Sequence, residues 1–219
     1  MIRVRVTAKR HADADVLGSV AFDIGDAETV AVCGRSGVGK TTLLHLIAGL
    51  DRDFDGEIEG FGGRVGYVFQ SPRLLPWRTA LQNLRIVAPE RAEADLLALL
   101  DDVGVGEAAH LYPAQLSLGM ARRVAIARAL AVQPDLLLLD EPFASLDAET
   151  ASRLRRLLQD LLARAPVPAL LVTHDPAEAL ELAQRVVVLG GRPATVRLDQ
   201  PAGDLDAAAL AASIAQEQA

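Results

Sequence analysis

The sequence predicts an α/β fold in one large domain. Three observations predict it. Short, continuously apolar runs alternate with stretches of helical periodicity. A glycine-rich segment joins one of the apolar runs to a helical pattern. Between residue 72 and about residue 131 strand signals vanish, and leucine and alanine at helical spacing take over.

Taken in order, Ile2 to Thr7 (IRVRVT) alternates with period 2 and reads as a half-exposed strand. Ser19 to Ile24 is a second strand, and Thr29 to Gly34 (TVAVCG) is apolar enough for a buried parallel strand. TTLLHLIAGL reads as a helix, then GEIEGFG and RVGYVF as short strands set off by glycine. In the helical insertion, RAEADLLALLDDV and LGMARRVAIARALA carry the pattern, the latter as a basic amphipathic run. DLLLLD and PALLVTH follow as buried strands. Between them Leu154, Leu157, Leu158, Leu161 and Leu162 form an i, i+3, i+4, i+7, i+8 stripe. RVVVLG and ATVRL supply the last strands and DLDAAALAASIAQ a final helix. The expected division is a core of residues 1–71 and 132–219 with a helical subdomain at 72–131.

At 219 residues the chain buries roughly 70% of its unfolded surface and needs no disulfide or metal staple. It is 51% hydrophobic, yet offers no run of about 18 apolar residues to span a bilayer. The N-terminus lacks the apolar core of a signal peptide. The single cysteine, Cys33, excludes an internal disulfide framework and fits a reducing cytoplasm. A net charge of −7 and 4% aromatic residues argue against nucleic acid as a general partner.

The stretch Gly34-Arg35-Ser36-Gly37-Val38-Gly39-Lys40-Thr41-Thr42 fits G-x-x-x-x-G-K-[ST] between a buried strand and a helix. Glycines let backbone N–H groups turn toward anionic oxygens, and the helix N-terminus adds its dipole. Lys40 is placed to reach the β- and γ-phosphates, and the Thr41 hydroxyl to bind Mg²⁺. LLLLDEP ends a buried strand on two acids. Ligands of doubly wound sheets bind at such strand ends, which puts Asp140 beside the phosphate loop as a Mg²⁺ ligand. Glu141 is then the candidate general base for an attacking water.

With the phosphate loop, Gln70, LSLGM, LLLLDEP, SLD and TH in this order and at these separations, the chain resembles the nucleotide-binding subunit of ATP-binding cassette (ABC) transporters along nearly its whole length. The resemblance implies a P-loop NTPase core with an antiparallel β subdomain and an inserted α-helical signature subdomain. It implies ATP and Mg²⁺ as cofactors, with Gln70 at the Mg²⁺–water cluster, Asp147 in a loop crossing to the partner subunit, and His174 sensing the γ-phosphate. It also implies a working dimer, as a homodimer or a paired cassette, because the signature segment binds the ATP held by the other protomer.

That segment departs from the family's L-S-G-G-Q, reading Leu116-Ser117-Leu118-Gly119-Met120. Ser117 is a good helix N-cap, and Gly119 keeps the close approach a side chain would block. If Leu118 opens the helix with ordinary negative φ it costs little; if its position needs positive φ the signature is impaired. The aromatic residue that the family stacks on adenine is also missing. His11 stands nearest to its position, either as a weaker stacking partner or as a solvated loop residue in KRHADAD.

SPRLLPWRT, directly after Gln70, sets Leu74, Leu75 and Trp77 among prolines and arginines in a loop, which reads as a docking patch for transmembrane permease subunits. The stretch resembles that of importers for nitrate, sulfonate, taurine and bicarbonate. The expectation is an ATP hydrolase on the inner face of the cell membrane, powering solute import with a separate permease and, indirectly, an extracytoplasmic solute-binding protein. A soluble non-transport ABC ATPase and a catalytically weak cassette paired with an active one stay open as alternatives.

Overall fold

The computed structural model describes residues 1–12, 14–60 and 63–215. In chain order the strands and helices are β1 (Ile2–His11), β2 (Ala14–Leu17), β3 (Val20–Ile24), β4 (Thr29–Cys33), α1 (Lys40–Ile47), β5 (Asp55–Glu59), β6 (Val65–Val68), α2 (Ala80–Arg85), α3 (Glu93–Asp102), α4 (Leu118–Ala131), β7 (Leu136–Asp140), α5 (Ala148–Arg164), β8 (Ala169–Thr173), α6 (Pro176–Leu182), β9 (Arg185–Gly190), β10 (Thr195–Pro201) and α7 (Ala207–Ala215). They fall into two compact units. The first comprises Met1–Gly62, Leu138–Glu141 and Pro166–Ala219; the second comprises Gly63–Leu137 and Pro142–Ala165.

The first unit holds two sheets. In one, β1 pairs antiparallel with β2, β3 and β5. Alternation in β1 buries Ile2, Val4 and Val6 and turns Arg3 and Arg5 outward, as period 2 requires. In the other sheet the order is β10-β9-β4-β8-β7, with β4 parallel to both β8 and β9 and β10 antiparallel on the edge. Every residue of β4, β7 and β8 is buried, which is why these strands read as unbroken apolar runs. Leu43, Leu44, Leu46 and Ile47 bury one side of α1. Ala179 of α6 and Leu210 of α7 join Ala31, Cys33, Val186 and Val188 in one apolar cluster.

The second unit is mainly helical, with β6 beside the start of β7. In α5 the predicted stripe is deepest at Leu154 and Leu158, with Leu157, Leu161 and Leu162 half-buried. Helix α4 departs from expectation. It buries Arg122, Val124, Ala125, Ile126, Ala127, Ala129 and Ala131, on nearly every side, so it is a central helix and not an amphipathic one.

Three local readings are corrected. His11 lies at the end of β1, exposed, in register with Ala14 of β2, and not in a solvated loop. The strand before Gln70 ends at Val68, two residues short of it. Helix α6 had no counterpart in the sequence reading, although Asp175 with Pro176 at the first helical position and Glu178 three residues after Asp175 is an N-terminal signature.

Candidate active site

In the first unit, β4 delivers the chain into the glycine-rich loop and α1 begins at Lys40. Gly39 is the N-cap at φ 110°, and no side chain caps this helix. A Cβ at Gly39 would lie 2.8 Å from Leu17 Cδ2, so neither the dihedral nor the space admits a side chain. Lys40 is buried. Its ammonium donates to the carbonyls of Gly34 (2.7 Å) and Arg35 (2.9 Å) and stands 4.0 Å from Glu141 Oε1. Burial lowers its pKa, against the opposing pull of Glu141, Cys33 and Asp140. Cys33, just before the loop, has its thiol pushed up to about 12, mainly by burial, and is no nucleophile.

The Thr41 hydroxyl donates to both carboxylate oxygens of Asp140, at 3.2 Å each. Asp140 is 5% exposed, and burial raises its pKa in spite of that hydrogen bond. Glu141 adopts φ 44°, a left-handed conformation uncommon for residues other than glycine, fixed by its N–H donating to Val172 of β8 at 2.9 Å. His174 Nδ1 lies 3.4 Å from Glu141 Oε1. The histidine is itself exposed, but Thr173 and Glu178 bracket it. The buried Thr173 hydroxyl donates to Glu178 Oε2 (2.5 Å) and accepts from the Asp175 N–H (3.0 Å). Sequence reasoning missed both bracketing residues; the capping pattern of α6 is the signal that points to them.

The first unit thus brings together Lys40, Thr41, Asp140, Glu141 and His174, predicted from three separate stretches. Gln70, Ser117, Gly119 and Asp147 belong to the second unit. Ser117 is the N-cap of α4, its hydroxyl accepting from the Met120 N–H at 3.2 Å. Leu118 is the first helical residue, partly exposed and outside the positive-φ region. Asp147 caps α5 by accepting from the Thr150 N–H at 2.9 Å.

The segment after Gln70 is a loop, as expected, but a tightly held one. Buried Asn83 accepts from the Leu75 N–H (2.8 Å) and donates to the carbonyls of Arg78 (3.1 Å) and Thr79 (2.9 Å). Arg128 donates to the carbonyls of Pro72 and Arg73. Leu74 and Leu75 are half-buried against this frame, while Trp77 is 68% exposed. Asn83 and Arg128 carried no sequence signal, because what they hold is backbone.

Residues 17–144 match the ABC transporter family model. The chain is 44% identical over 204 residues to the aliphatic sulfonates import ATP-binding protein SsuB 1 of Pseudomonas syringae pv. syringae, covering 93% of this chain and 86% of that protein. It is 46% identical over 203 residues to SsuB 1 of Pseudomonas aeruginosa, covering 86% and 82%. Among solved structures, the dimeric structure of MJ0796, a bacterial ABC transporter cassette, superposes with a TM-score of 0.80 at 28% identity, covering 92% of this chain and 99% of that one. The family match over more than half the chain, together with relatives matched over more than four-fifths of their length, settles the assignment: the chain belongs to the ABC transporter family, as one of its ATP-binding cassettes.

Proposed function

We propose that the chain hydrolyses ATP to power the import of a small organic anion of the sulfonate class through a separate membrane permease, working as a dimer. The observation that carries the chemistry is the cluster of Lys40, Thr41, Asp140, Glu141 and His174 in one unit. Lys40 supplies a buried positive charge for the β- and γ-phosphates. Glu141, with Lys40 and His174 at its carboxylate, accepts the proton of the attacking water. His174 faces outward enough to meet a γ-phosphate. In this reading Gln70, together with Ser117 and Gly119 of the partner protomer, completes the enclosure of ATP, and the exposed His11 is assigned to the adenine as a weak stacking partner. Closure follows ATP binding and reopening follows hydrolysis, because only the closed state makes the γ-phosphate contacts.

The residues present fit Mg²⁺. A buried carboxylate held uphill by desolvation beside a hydroxyl is an oxygen donor set for a hard cation. Among the described residues no group of three or more His, Cys, Asp or Glu forms a cage, which suits an ion that keeps water and phosphate oxygens as its other ligands. Thr41 and Asp140 would hold it, with Gln70 through water, and it would neutralise charge on the transferred phosphoryl group.

The solute class follows from the relatives' role in aliphatic sulfonate import. No helix among the described residues is long and apolar enough to cross a membrane. As the ATP-binding partner of an import permease, the role its relatives carry, the chain acts as a peripheral subunit at the cytoplasmic face, with Trp77, Leu74 and Leu75 meeting the permease. The test is Glu141→Gln. It should bind ATP with parental affinity, turn over about 10²- to 10⁴-fold more slowly, and, locked with ATP, co-purify a multi-span permease. Reconstituted with its binding protein, that permease should take up an alkanesulfonate in preference to nitrate. Near-normal hydrolysis by the variant removes Glu141 from the base role, and recovery of soluble partners alone removes the transport role.

A further inference from the structure

We propose that Arg122 is a positioning residue that binds the signature helix to the Pro142–Asp147 segment, so that both elements answer to the partner's ATP as one piece. The proposal rests on the ATPase reading above and assigns a role to a side chain that touches no nucleotide.

Arg122 lies five residues after Ser117 in α4 and is 5% exposed. Its Nη1 donates to the Pro142 carbonyl at 2.7 Å and its Nη2 to the Ala144 carbonyl. Both acceptors are neutral backbone oxygens, and burial alone holds the guanidinium below its ordinary pKa. A buried cation without a carboxylate is an expensive way to fill space. What the guanidinium offers is a planar fork that meets two carbonyls at a fixed separation, which no other side chain does. An apolar residue in its place takes the donor from a buried carbonyl at Pro142 and a partly buried one at Ala144.

The segment it grips needs holding. Ser145 sits at φ 63°, a left-handed conformation for a residue other than glycine. Leu146 N–H turns back to Phe143 O at 3.3 Å, and Asp147 then caps α5 through Thr150. The start of α4 also comes close to the first turn of α5, into which the segment leads: a Cβ at Gly119 would stand 3.1 Å from Thr150 Cγ2. The fork at Arg122 fastens α4 to this segment, and the close approach at Gly119 sets α4 beside the helix that follows it. Ser117, assigned to the partner's nucleotide, caps the helix that carries Arg122, and Asp147, assigned to the loop that crosses to the partner, ends the segment it grips.

The experiment compares Arg122→Met and Arg122→Gln with the parent chain. It reads MgATP turnover across ATP concentration, affinity for a fluorescent ATP analogue, and the thermal midpoint. Arg122→Met should lower kcat about thirtyfold while leaving analogue affinity within about twofold. Arg122→Gln, whose amide can still donate to one carbonyl, should fall between the two. In the Glu141→Gln background, Arg122→Met should need about tenfold more ATP to form the locked dimer. A kcat within about threefold of the parent in Arg122→Met overturns the proposal. So does a loss of kcat matched by a collapse of analogue affinity, which marks general structural damage. Where Arg122→Met fails to fold, Arg122→Gln carries the same criteria. A parent chain that hydrolyses no ATP sinks the ATPase reading itself; an active parent indifferent to Arg122 sinks only the positioning role.

Discussion

Two helix starts in this molecule are assigned to phosphate, and they are built differently. Helix α1 opens on Gly39 at φ 110° with no side-chain cap, over a buried lysine and a buried aspartate. Helix α4 opens on Ser117 in extended backbone with its own hydroxyl as cap, and its next residue is a partly exposed leucine. The first start is demanding in dihedral, space and charge together. The second demands only a hydroxyl and one close approach, at Gly119. A helix start that must wrap an anion is constrained at almost every residue, whereas one that must only touch it tolerates substitution. That difference explains how a leucine can stand where the family has glycine in the signature while the phosphate loop follows its pattern throughout.

The contrast is broken most directly by adding one methyl to each start. Gly39→Ala forces a side chain into positive φ and against Leu17, a strain of about 2 kcal/mol. Relieved by distorting the loop, that strain weakens ATP binding about thirtyfold, as equilibrium binding of a fluorescent analogue should read. Gly119→Ala meets the Thr150 methyl at 3.1 Å and the Ser117 hydroxyl oxygen in ordinary contact at 4.0 Å. It should lower turnover about tenfold, leave binding to the isolated chain within about twofold, and recover most activity when Thr150→Ser removes the methyl. Equal losses of nucleotide affinity in the two variants would erase the distinction.

Legibility in the sequence follows the same division. The phosphate loop and the acids after β7 were readable because their chemistry needs particular residue types a few positions apart. The buried strands were readable because burial on both faces writes an unbroken apolar run. That β1 runs to His11 was not legible, because the turn after it, through Ala12 at φ 49°, lacks the glycine or asparagine that announces a hairpin. Arg122 went unread inside a run taken as basic and amphipathic, because a charge in a helix looks like a solvated face. Its acceptors, the carbonyls of Pro142 and Ala144, lie about twenty residues away and have no side-chain signature. Asn83 escaped notice for the same reason, since a side chain that serves backbone atoms leaves no partner in the sequence to find.

A smaller effect separates the two starts energetically. Burial raises the Asp140 pKa above its ordinary value of 3.8, even with Thr41 hydrogen-bonded to it. A carboxylate with a raised folded-state pKa contributes stability below its unfolded pKa and loses it as pH rises through the folded value. At neutral pH the charged Asp140 is therefore a burden on the nucleotide-free protein. Asp140→Asn keeps an acceptor for Thr41 and removes the charge. It should raise the thermal midpoint at pH 7.5, by about 2–4 °C for each kcal/mol relieved in a chain of this size, while hydrolysis is lost. The gain should shrink as pH falls through the folded value and vanish well below the ordinary 3.8, where Asp140 is protonated in both states. A midpoint that falls at pH 7.5 would show that the carboxylate stabilises the apo loop.

The smallest expected effect is at Leu118, and it bears most directly on the signature. Leu118 is the first residue of α4, outside the positive-φ region, so glycine's conformational freedom goes unused there. Its side chain is partly exposed, and the groups assigned to phosphate are its neighbours Ser117 and Gly119. Leu118→Gly restores the family's residue. It should leave ATP turnover within about threefold of the parent and cost about 0.5–1 kcal/mol of stability through the flexibility of glycine in a helical turn. A hundredfold rise in turnover would mean that the leucine obstructs the closed dimer. The tolerant helix start would then be the impaired one, and the catalytically weak cassette would become the better description of this chain.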